Sequence, residues 1–235
     1  MKMLKIFTTL IIALSLCVGA VWAGDVEDAD TALAKKDYVT ALKKYKSAAS
    51  TNDAFAQLQV GNFYYDGLGV KRDYSEAVRW YKLAVAQGLA LAQYNLGVIY
   101  ANGQGVPQDY TEAVRWYKLA AAQGLALAQY NLGVMYANGQ GVSQDYAEAV
   151  RLNKLAAAQG VTLAQYNLGV MYAKAQGVVQ NYVQAHMWFN IAAVKGYVDA
   201  VKNRDMITTK MTTEQIGKAQ KLARECEARN YKNCD

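Results

Sequence analysis

A stretch of 36 residues is repeated almost without change in the middle of the chain. Residues 92–127, AQYNLGVIYANGQGVPQDYTEAVRWYKLAAAQGLAL, are followed at once by residues 128–163, AQYNLGVMYANGQGVSQDYAEAVRLNKLAAAQGVTL. Looser copies cover 56–91 and 164–199. A fixed period of this length is typical of stacked repeats, in which one unit cannot bury its apolar face alone. We therefore expect a series of similar units rather than one central core.

Each unit contains two helical patterns. In the first half, Leu96 and Tyr100 are four residues apart and share one stripe of a helix. The glycines of residues 102–105 end that pattern, because glycine readily adopts the left-handed conformation that terminates helices. In the second half, Asp109 and Glu112 have the spacing of a capping box at a helix start. The sequence therefore predicts an all-α fold.

The spacing of these positions resembles a known repeat. From residue 92 to 124 the chain reads A-x-x-x-L-G-x-x-Y-x-x-G-x-G-V-x-x-D-Y-x-x-A-x-x-W-Y-x-x-A-A-x-x-G, which is similar to the Sel1-like repeat, a relative of the tetratricopeptide repeat. The resemblance implies a right-handed α-solenoid of helix-turn-helix repeats with a concave groove that binds or scaffolds other proteins. Leu152 replaces the tryptophan of this pattern and Ala175 replaces a helix-ending glycine, so the later units are less regular.

The repeat register divides the whole chain. Thr212 and Gln215 have the spacing of a further capped helix, which we expect to cover the last repeat. We predict a signal peptide at 1–23, entry helices forming a partial repeat at 24–55, repeats at 56–91, 92–127, 128–163 and 164–199, and a C-terminal capping helix and tail at 200–235. Residues 24–29 are expected to form a short acidic lead-in to the entry helices.

The N-terminal residues are typical of a bacterial secretory signal. Two lysines precede an apolar run over residues 6–18, and Val21-Trp22-Ala23 offers a cleavage site after the alanine. The run is too short for a membrane span, so we expect a periplasmic or secreted protein without stable membrane insertion. Acylation of Cys17, as in a lipoprotein, is the alternative; the bulky Leu16 before it disfavours that interpretation.

Two cysteines remain after cleavage, Cys226 and Cys234. In an oxidising compartment they are expected to form a disulfide. A metal site is the weaker alternative, because the spacing is not C-x-x-C and the single histidine, His186, is distant in sequence. We predict no metal site and no cofactor.

Alignment with the tetratricopeptide pattern implies which residues line the concave face. These residues lie four apart on each first helix, and repeated tyrosine and amide groups would suit a protein or peptide ligand. The alternative is that the tyrosines pack between neighbouring first helices, and the sequence leaves both open. The predicted partner-binding residues are Tyr94, Val98, Asn102, Tyr130, Val134, Asn138, Tyr166, Val170 and Lys174, with Ala101 beside them. We expect the protein to be monomeric.

Charge argues against nucleic-acid binding. The net charge is +6, but charged residues alternate with apolar ones and never form a long run. The recurring Arg79, Arg115 and Arg151 are interpreted as a solvated outer face rather than as a site for an acidic partner.

No catalytic residues are predicted. Some cysteine-rich exported relatives with this repeat have been labelled β-lactamases or penicillin-binding proteins, which makes a cell-wall activity the alternative function. A serine β-lactamase needs an S-x-x-K element, and no serine of the chain has a lysine three residues later. One histidine is too few for a zinc centre of the usual kind. We therefore predict a binding protein rather than an enzyme.

Overall fold

The computed structural model describes residues 24–234. The predicted signal peptide, with Cys17 and the cleavage site, lies outside the described residues. Those residues form helices and turns, with no strand among them. The chain divides into two compact units, with the boundary between Gln108 and Asp109.

The described part of unit 1 contains five helices. Helix α1 covers residues 24–34, and α2 is Tyr38–Ala49. The following helices are α3, Ala54–Asp66; α4, Tyr74–Ala86; and α5, Ala90–Asn102. Consecutive helices pack against one another from α2 to α5.

Unit 2 contains seven helices among its described residues. Two helix pairs come first, followed by three C-terminal helices. In order they are α6, Tyr110–Ala122; α7, Ala126–Asn138; α8, Tyr146–Ala158; α9, Thr162–Lys174; α10, Tyr182–Val194; α11, Val198–Thr208; and α12, Thr213–Ala228. Consecutive helices again pack together from α6 to α11, and α12 packs on α10.

The helices alternate between two kinds, and the alternation has the predicted period. We call α3, α5, α7, α9 and α11 the first helices, and α2, α4, α6, α8 and α10 the second helices. Within each kind, the starting residues are 36 positions apart. The first helices begin two residues before the predicted repeat starts, at Ala54 rather than at Ala56 in the first case. The predicted all-α repeat fold with a C-terminal helix on the last repeat is confirmed.

Four of the five second helices, α2, α4, α6 and α8, start at capping aspartates, and α10 starts at a capping asparagine, Asn181. The Asp73 side chain accepts a hydrogen bond from the backbone N–H of Glu76 at 3.0 Å, and Asp109 and Asp145 make the same bond in their own helices. The side chain of Glu76 does not complete a capping box, however. Its carboxylate binds the guanidinium of Arg79 at 2.6 Å instead. A complete box occurs at Thr212 and Gln215, where α12 begins.

The two glycines that follow α3, α5 and α7 have different roles, as the pair after α5 illustrates. Gly103 has a φ of 67° and caps α5, as the sequence predicts. Gly105 lies against the start of the preceding second helix, where a Cβ atom would come within 2.7 Å of the backbone of Tyr74 and Ser75. The second glycine therefore permits close contact between neighbouring repeats, a role that its spacing alone does not indicate.

Small and aromatic residues fill both cores. In unit 1, Tyr45, Val60 and Phe63 are buried together with alanines from α1 and α2. In unit 2, Leu168, Phe189 and residues around them form the core. The face of α6 that includes Trp116 and Tyr117 is buried.

Two helices differ from the expectation. Residues 24–29 are not a separate lead-in but belong to α1, where Asp25 and Asp28 bind the ammonium of Lys44 at 2.9 and 2.8 Å. The second difference is α11, which lies within the region expected to hold only a capping helix and tail. Ala200 of α11 lies 36 residues after Ala164 and is likewise fully buried. The 36-residue repeat register was therefore the feature of the sequence from which α11 could have been predicted.

The C-terminal tail is held to the last helices. Cys226 and Cys234 form a disulfide, with their Cα atoms 5.1 Å apart. The Nζ atom of Lys195 lies 3.8 Å from the centre of the Tyr231 ring within the disulfide loop. Across residues 24–234, no helix combines the length and apolar character needed to cross a bilayer.

Candidate binding niches on the first helices

The predicted partner-binding residues lie on three first helices. One set lies on α5 in unit 1, and the sets on α7 and α9 belong to unit 2. In each set the tyrosine and valine are half-buried and the last residue is exposed. The structure places Tyr94, Val98 and Asn102 on α5, Tyr130, Val134 and Asn138 on α7, and Tyr166, Val170 and Lys174 on α9.

Unit 1 contains a niche of about 290 Å³ between α3, α4 and α5. Tyr94 and Val98, both predicted, form part of its wall. The opposite wall comes from α3, and the Tyr81 ring of α4 lies between. We call this the Asn62 niche; it is lined by Asn62, Tyr65, Asp66, Tyr81, Tyr94, Asn95 and Val98.

Hydrogen bonds order the polar floor of the Asn62 niche. The Asn62 Oδ1 atom accepts from the Tyr81 hydroxyl at 2.8 Å and from Asn95 Nδ2 at 3.1 Å. Burial, together with the nearby Asp66 carboxylate, raises the pKa of Tyr81, so its hydroxyl stays protonated and donates. Tyr65 donates to Gln104 at 3.0 Å. The niche therefore presents fixed amide groups and one exposed carboxylate.

Unit 2 contains a more apolar niche of about 220 Å³ between α9, α10 and α11. Val170 and Lys174, both predicted, contribute to it. Met206 is 61% exposed, and the Lys210 Nζ atom lies 5.8 Å from the centre of the Tyr182 ring. We call this the Lys174 niche; it is lined by Val170, Ala173, Lys174, Tyr182, Phe189, Asn203, Met206, Ile207 and Lys210.

The two niches occupy the same place in different repeats. Each opens between two successive first helices over an aromatic ring of the second helix between them, Tyr81 in one and Phe189 in the other. Positions 62, 66 and 98 of unit 1 correspond by repeat register to 170, 174 and 206 of unit 2. At the position where unit 1 has the Asp66 carboxylate, unit 2 has the Lys174 ammonium. Niches at the same position in two repeats therefore have side chains of opposite charge in their walls.

The tyrosines of the three predicted sets differ in their surroundings. Tyr94 lines the Asn62 niche. Tyr166 accepts a hydrogen bond from Asn203 at 2.9 Å, and its ring centre lies 5.7 Å from that of Phe189. Tyr130 packs partly against the core of unit 2. Tyr166 thus packs between the successive first helices α9 and α11. Packing of this kind was the alternative to ligand binding that the sequence left open for the tyrosines.

Sequence reasoning misses several of the lining residues. The niche walls include residues of α3 and α11, the helices at the two ends of the first-helix series. The repeat register could have predicted these residues of α3 and α11, because Asn62 and Met206 align with the predicted Val98. The missed residues are Asn62, Tyr65, Asp66, Tyr81 and Asn95 in unit 1, and Ala173, Tyr182, Phe189, Asn203, Met206, Ile207 and Lys210 in unit 2.

The other candidate side chains, His186 and Arg79, interact with neighbouring residues of the same chain. His186 is 3% exposed, and burial together with the Arg204 charge lowers its pKa. Arg79 pairs with Glu76 and lies over the Trp80 ring, with its Cζ 4.8 Å from the ring centre. In the part of the chain that the structure describes, no group of three or more histidine, cysteine or acidic residues could hold a metal ion.

Comparison with known proteins identifies the repeat. The sequence matches the Sel1 repeat over residues 54–89, 90–125, 126–161 and 162–197. The chain belongs to the Sel1 repeat family. Each matched segment begins at the first residue of a first helix, so the Sel1 units and the observed helix pairs coincide. Among curated proteins, none matches the sequence.

Solved Sel1 structures share the fold. A protective antigen present in uropathogenic Escherichia coli strains, which displays an SLR fold, is 33% identical with a TM-score of 0.72. That alignment covers 84% of this chain and 43% of the antigen, so this chain spans less than half of the antigen's length. A Sel1 repeat protein from Oxalobacter formigenes is 28% identical with a TM-score of 0.69, covering 87% and 77% of the two chains.

A more distant structure has a similar arrangement of helices. An immunity protein from Pseudomonas aeruginosa is 21% identical with a TM-score of 0.51, and the alignment covers 91% of this chain and 81% of that protein. At this identity the similarity concerns the fold alone.

Proposed function

We propose that this Sel1 repeat protein is a non-catalytic scaffold that binds segments of a protein partner on its first helices. The observation that carries the proposal is the recurrence of a niche at one repeat position with two different linings. Recurrent sites on rigid helices suit the recognition of successive side chains of an extended ligand. The niches also include predicted residues from α5 and α9.

The lining of each niche selects a different chemistry. The Asn62 niche offers amides, phenol groups and the Asp66 carboxylate, which suit a polar or cationic side chain. The Lys174 niche offers Met206 and Ile207 beside two lysines, Lys174 and Lys210, which suit an apolar side chain next to an acidic group. The partner is therefore expected to contain segments of both kinds.

Site-specific photocrosslinking tests the proposal. A photoreactive amino acid is placed at Val98 in the Asn62 niche, at Met206 in the Lys174 niche, and at exposed Lys218 on α12 as a control. We expect one protein to crosslink from both niche positions and not from the control. Crosslinking from Lys218 alone, or no crosslinking from either niche in extracts of the producing cell, would contradict it.

Charge variants separate recognition from simple proximity. Lys174→Glu with Lys210→Glu reverses the charge of one niche, and Asp66→Asn removes the carboxylate of the other. We expect each variant to weaken capture of the crosslinked protein while leaving the helical circular dichroism signal unchanged, because these side chains are exposed. Lys218→Glu is the matched control.

We also propose that the protein is exported. The lysine-flanked apolar run and the cleavage site of residues 1–23 support this, as does the disulfide between Cys226 and Cys234. Mass spectrometry of the protein from its producing cell tests it. The expected mature chain begins at Gly24. A chain that retains Met1 would contradict export, whereas one that begins with acylated Cys17 would contradict only cleavage after Ala23.

A further inference from the structure

Three of the five second helices carry a tryptophan at one register position, whereas α2 has a lysine there and α8 a leucine. The tryptophans are Trp80, Trp116 and Trp188, and the residue of α8 at this position is Leu152. These side chains point toward the core or its edge, since Leu152 is 2% exposed and Trp116 is 9% exposed. The leucine lacks the planar indole, so the space that an indole fills elsewhere must be filled differently or stay open.

The surroundings of Trp80 show one way in which an indole is held at this position, while the buried Nε1–H groups of Trp116 and Trp188 have no hydrogen-bond partner among the described residues. Its Nε1–H donates to Glu76 Oε1 at 3.0 Å, and the Arg79 guanidinium lies over its ring. Tyr64 of α3 packs on the same apolar cluster as Trp80. Lys46 of α2 donates to the Tyr64 hydroxyl at 2.8 Å. Glu76 and Arg79 therefore contact the Trp80 ring directly, and Tyr64, to which Lys46 is bonded, packs on the same cluster.

Unit 2 has the same four residues around Leu152. Lys118 and Tyr136 correspond by register to Lys46 and Tyr64, and the Lys118 Nζ lies 5.6 Å from the centre of the Tyr136 ring. Glu148 and Arg151 form the matching ion pair, with Arg151 Nη2 at 2.7 Å from Glu148 Oε1. All of these residues line an open niche of about 500 Å³ between α6, α7 and α8. We call it the Leu152 niche.

We propose that the Leu152 niche binds the indole group of a tryptophan from a peptide partner. The lining is already arranged as it is around Trp80, so little ordering is needed on binding. A buried aromatic ring contributes a large apolar area, and the Arg151 guanidinium can lie over its face. Glu148 can accept the indole N–H as Glu76 does. Lys118 favours an acidic residue next to the tryptophan in the ligand.

The site is separate from the first-helix niches. Its lining comes mainly from second helices α6 and α8, and it shares no residue with the Asn62 or Lys174 niche. Variants in the Leu152 niche therefore test this proposal without touching the residues of the proposed function.

Fluorine NMR of the whole mature protein measures the binding. The probe is N-acetyl-5-fluorotryptophanamide, with 5-fluoroindole in a parallel arm. We expect saturable broadening and a shift of the amide's resonance with the unaltered protein, and loss of both with Leu152→Trp, which fills the niche from within. Leu163→Trp is the matched control, because Leu163 is a 39% exposed leucine of α9 outside the niche. This control should bind the probe like the unaltered protein.

A second variant transfers the site to unit 1. Trp80→Leu removes the indole from the Lys46, Tyr64, Glu76 and Arg79 environment and should add a second saturable binding event. This arm does not depend on the folding of Leu152→Trp. Equal binding by Leu152→Trp and the unaltered protein would overturn the proposal, and so would the absence of binding by the unaltered protein. Binding of fluoroindole without binding of the tryptophan amide would also overturn it, since a peptide partner could not then use the site.

Discussion

The backbone of Gly169 on α9 lies directly against the ring of Phe189 on α10. A Cβ atom at Gly169 would lie 2.5 Å from Phe189 Cδ1, closer than packed atoms approach. Gly61 has the same relationship with Tyr81, at 2.5 Å from its Cε1. These glycines permit a first helix to approach the aromatic ring that forms the floor of each first-helix niche.

Substitution of Gly169 by alanine should destabilise the protein. The new methyl group must displace the buried Phe189 ring, and overpacking of this kind costs about 1–3 kcal/mol, against a gain of about 1 kcal/mol in helix propensity. Gly217 is the matched control, since it lies in helix α12 and a Cβ atom there would meet nothing within 4 Å. Urea unfolding should place Gly169→Ala below the unaltered protein and Gly217→Ala above it. Equal shifts would refute the close-packing argument.

Substitution of Ala175 by glycine should stabilise the protein. Ala175 ends α9 with φ 57° and ψ 37°, a left-handed conformation that costs an L-residue about 1–2 kcal/mol. Glycine adopts it readily, so we expect a gain of about 1 kcal/mol in the free energy of unfolding. The converse change, Gly139→Ala, should cost a similar amount, because Gly139 ends α7 with φ 67°. Thermal unfolding measures both; a loss of stability in Ala175→Gly would contradict the prediction.

The stability of the protein should fall as the pH decreases below about 6.5, the ordinary pKa of histidine. Burial, and then the Arg204 charge, lowers the pKa of His186 in the folded state, while Asp205 opposes this. The unfolded chain therefore takes up a proton first, and the free energy of unfolding declines from the unfolded pKa down to the folded one. The chain has one histidine, so the effect is assignable.

Replacement of His186 by valine provides the control for this pH dependence. Valine is the residue at the equivalent positions Val78, Val114 and Val150. Urea unfolding at a pH of about 7.5 and of about 5.5, on either side of the ordinary histidine pKa, should reveal a smaller loss of stability in His186→Val than in the unaltered protein. An equal loss in both proteins would assign the pH dependence to other groups.

Removal of the Cys226–Cys234 disulfide should destabilise the C-terminal helices. Closure of the short loop between them contributes about 2–3 kcal/mol in the chain-entropy model, and it also holds the Tyr231 ring beside Lys195. Cys226→Ala with Cys234→Ala should lower the melting temperature of the mature protein. A reductant should lower that of the unaltered protein and leave the double variant unchanged. Insensitivity of the unaltered protein to reductant would contradict the prediction.

Local patterns account for most of the fold. The period of 36 residues, the capping aspartates and Gly103 act within a few residues of chain, so the helices can be located from the sequence. Local patterns do not predict α11, because its sequence matches the repeat pattern weakly apart from Ala200. They also assign Glu112 to a capping box, whereas Arg115 on the same helix competes successfully for its carboxylate.

The sequence alone determined the repeat, its helix pairs and the stripes of residues that each first helix presents, because those features depend on spacing along one segment. Only the tertiary structure decided which stripes border open space. Tyr94 lines a niche while Tyr166 is bonded to Asn203, and the space beside Leu152 stays open. These outcomes depend on side chains about one repeat apart that meet only when neighbouring helices pack, so no single repeat contains the information.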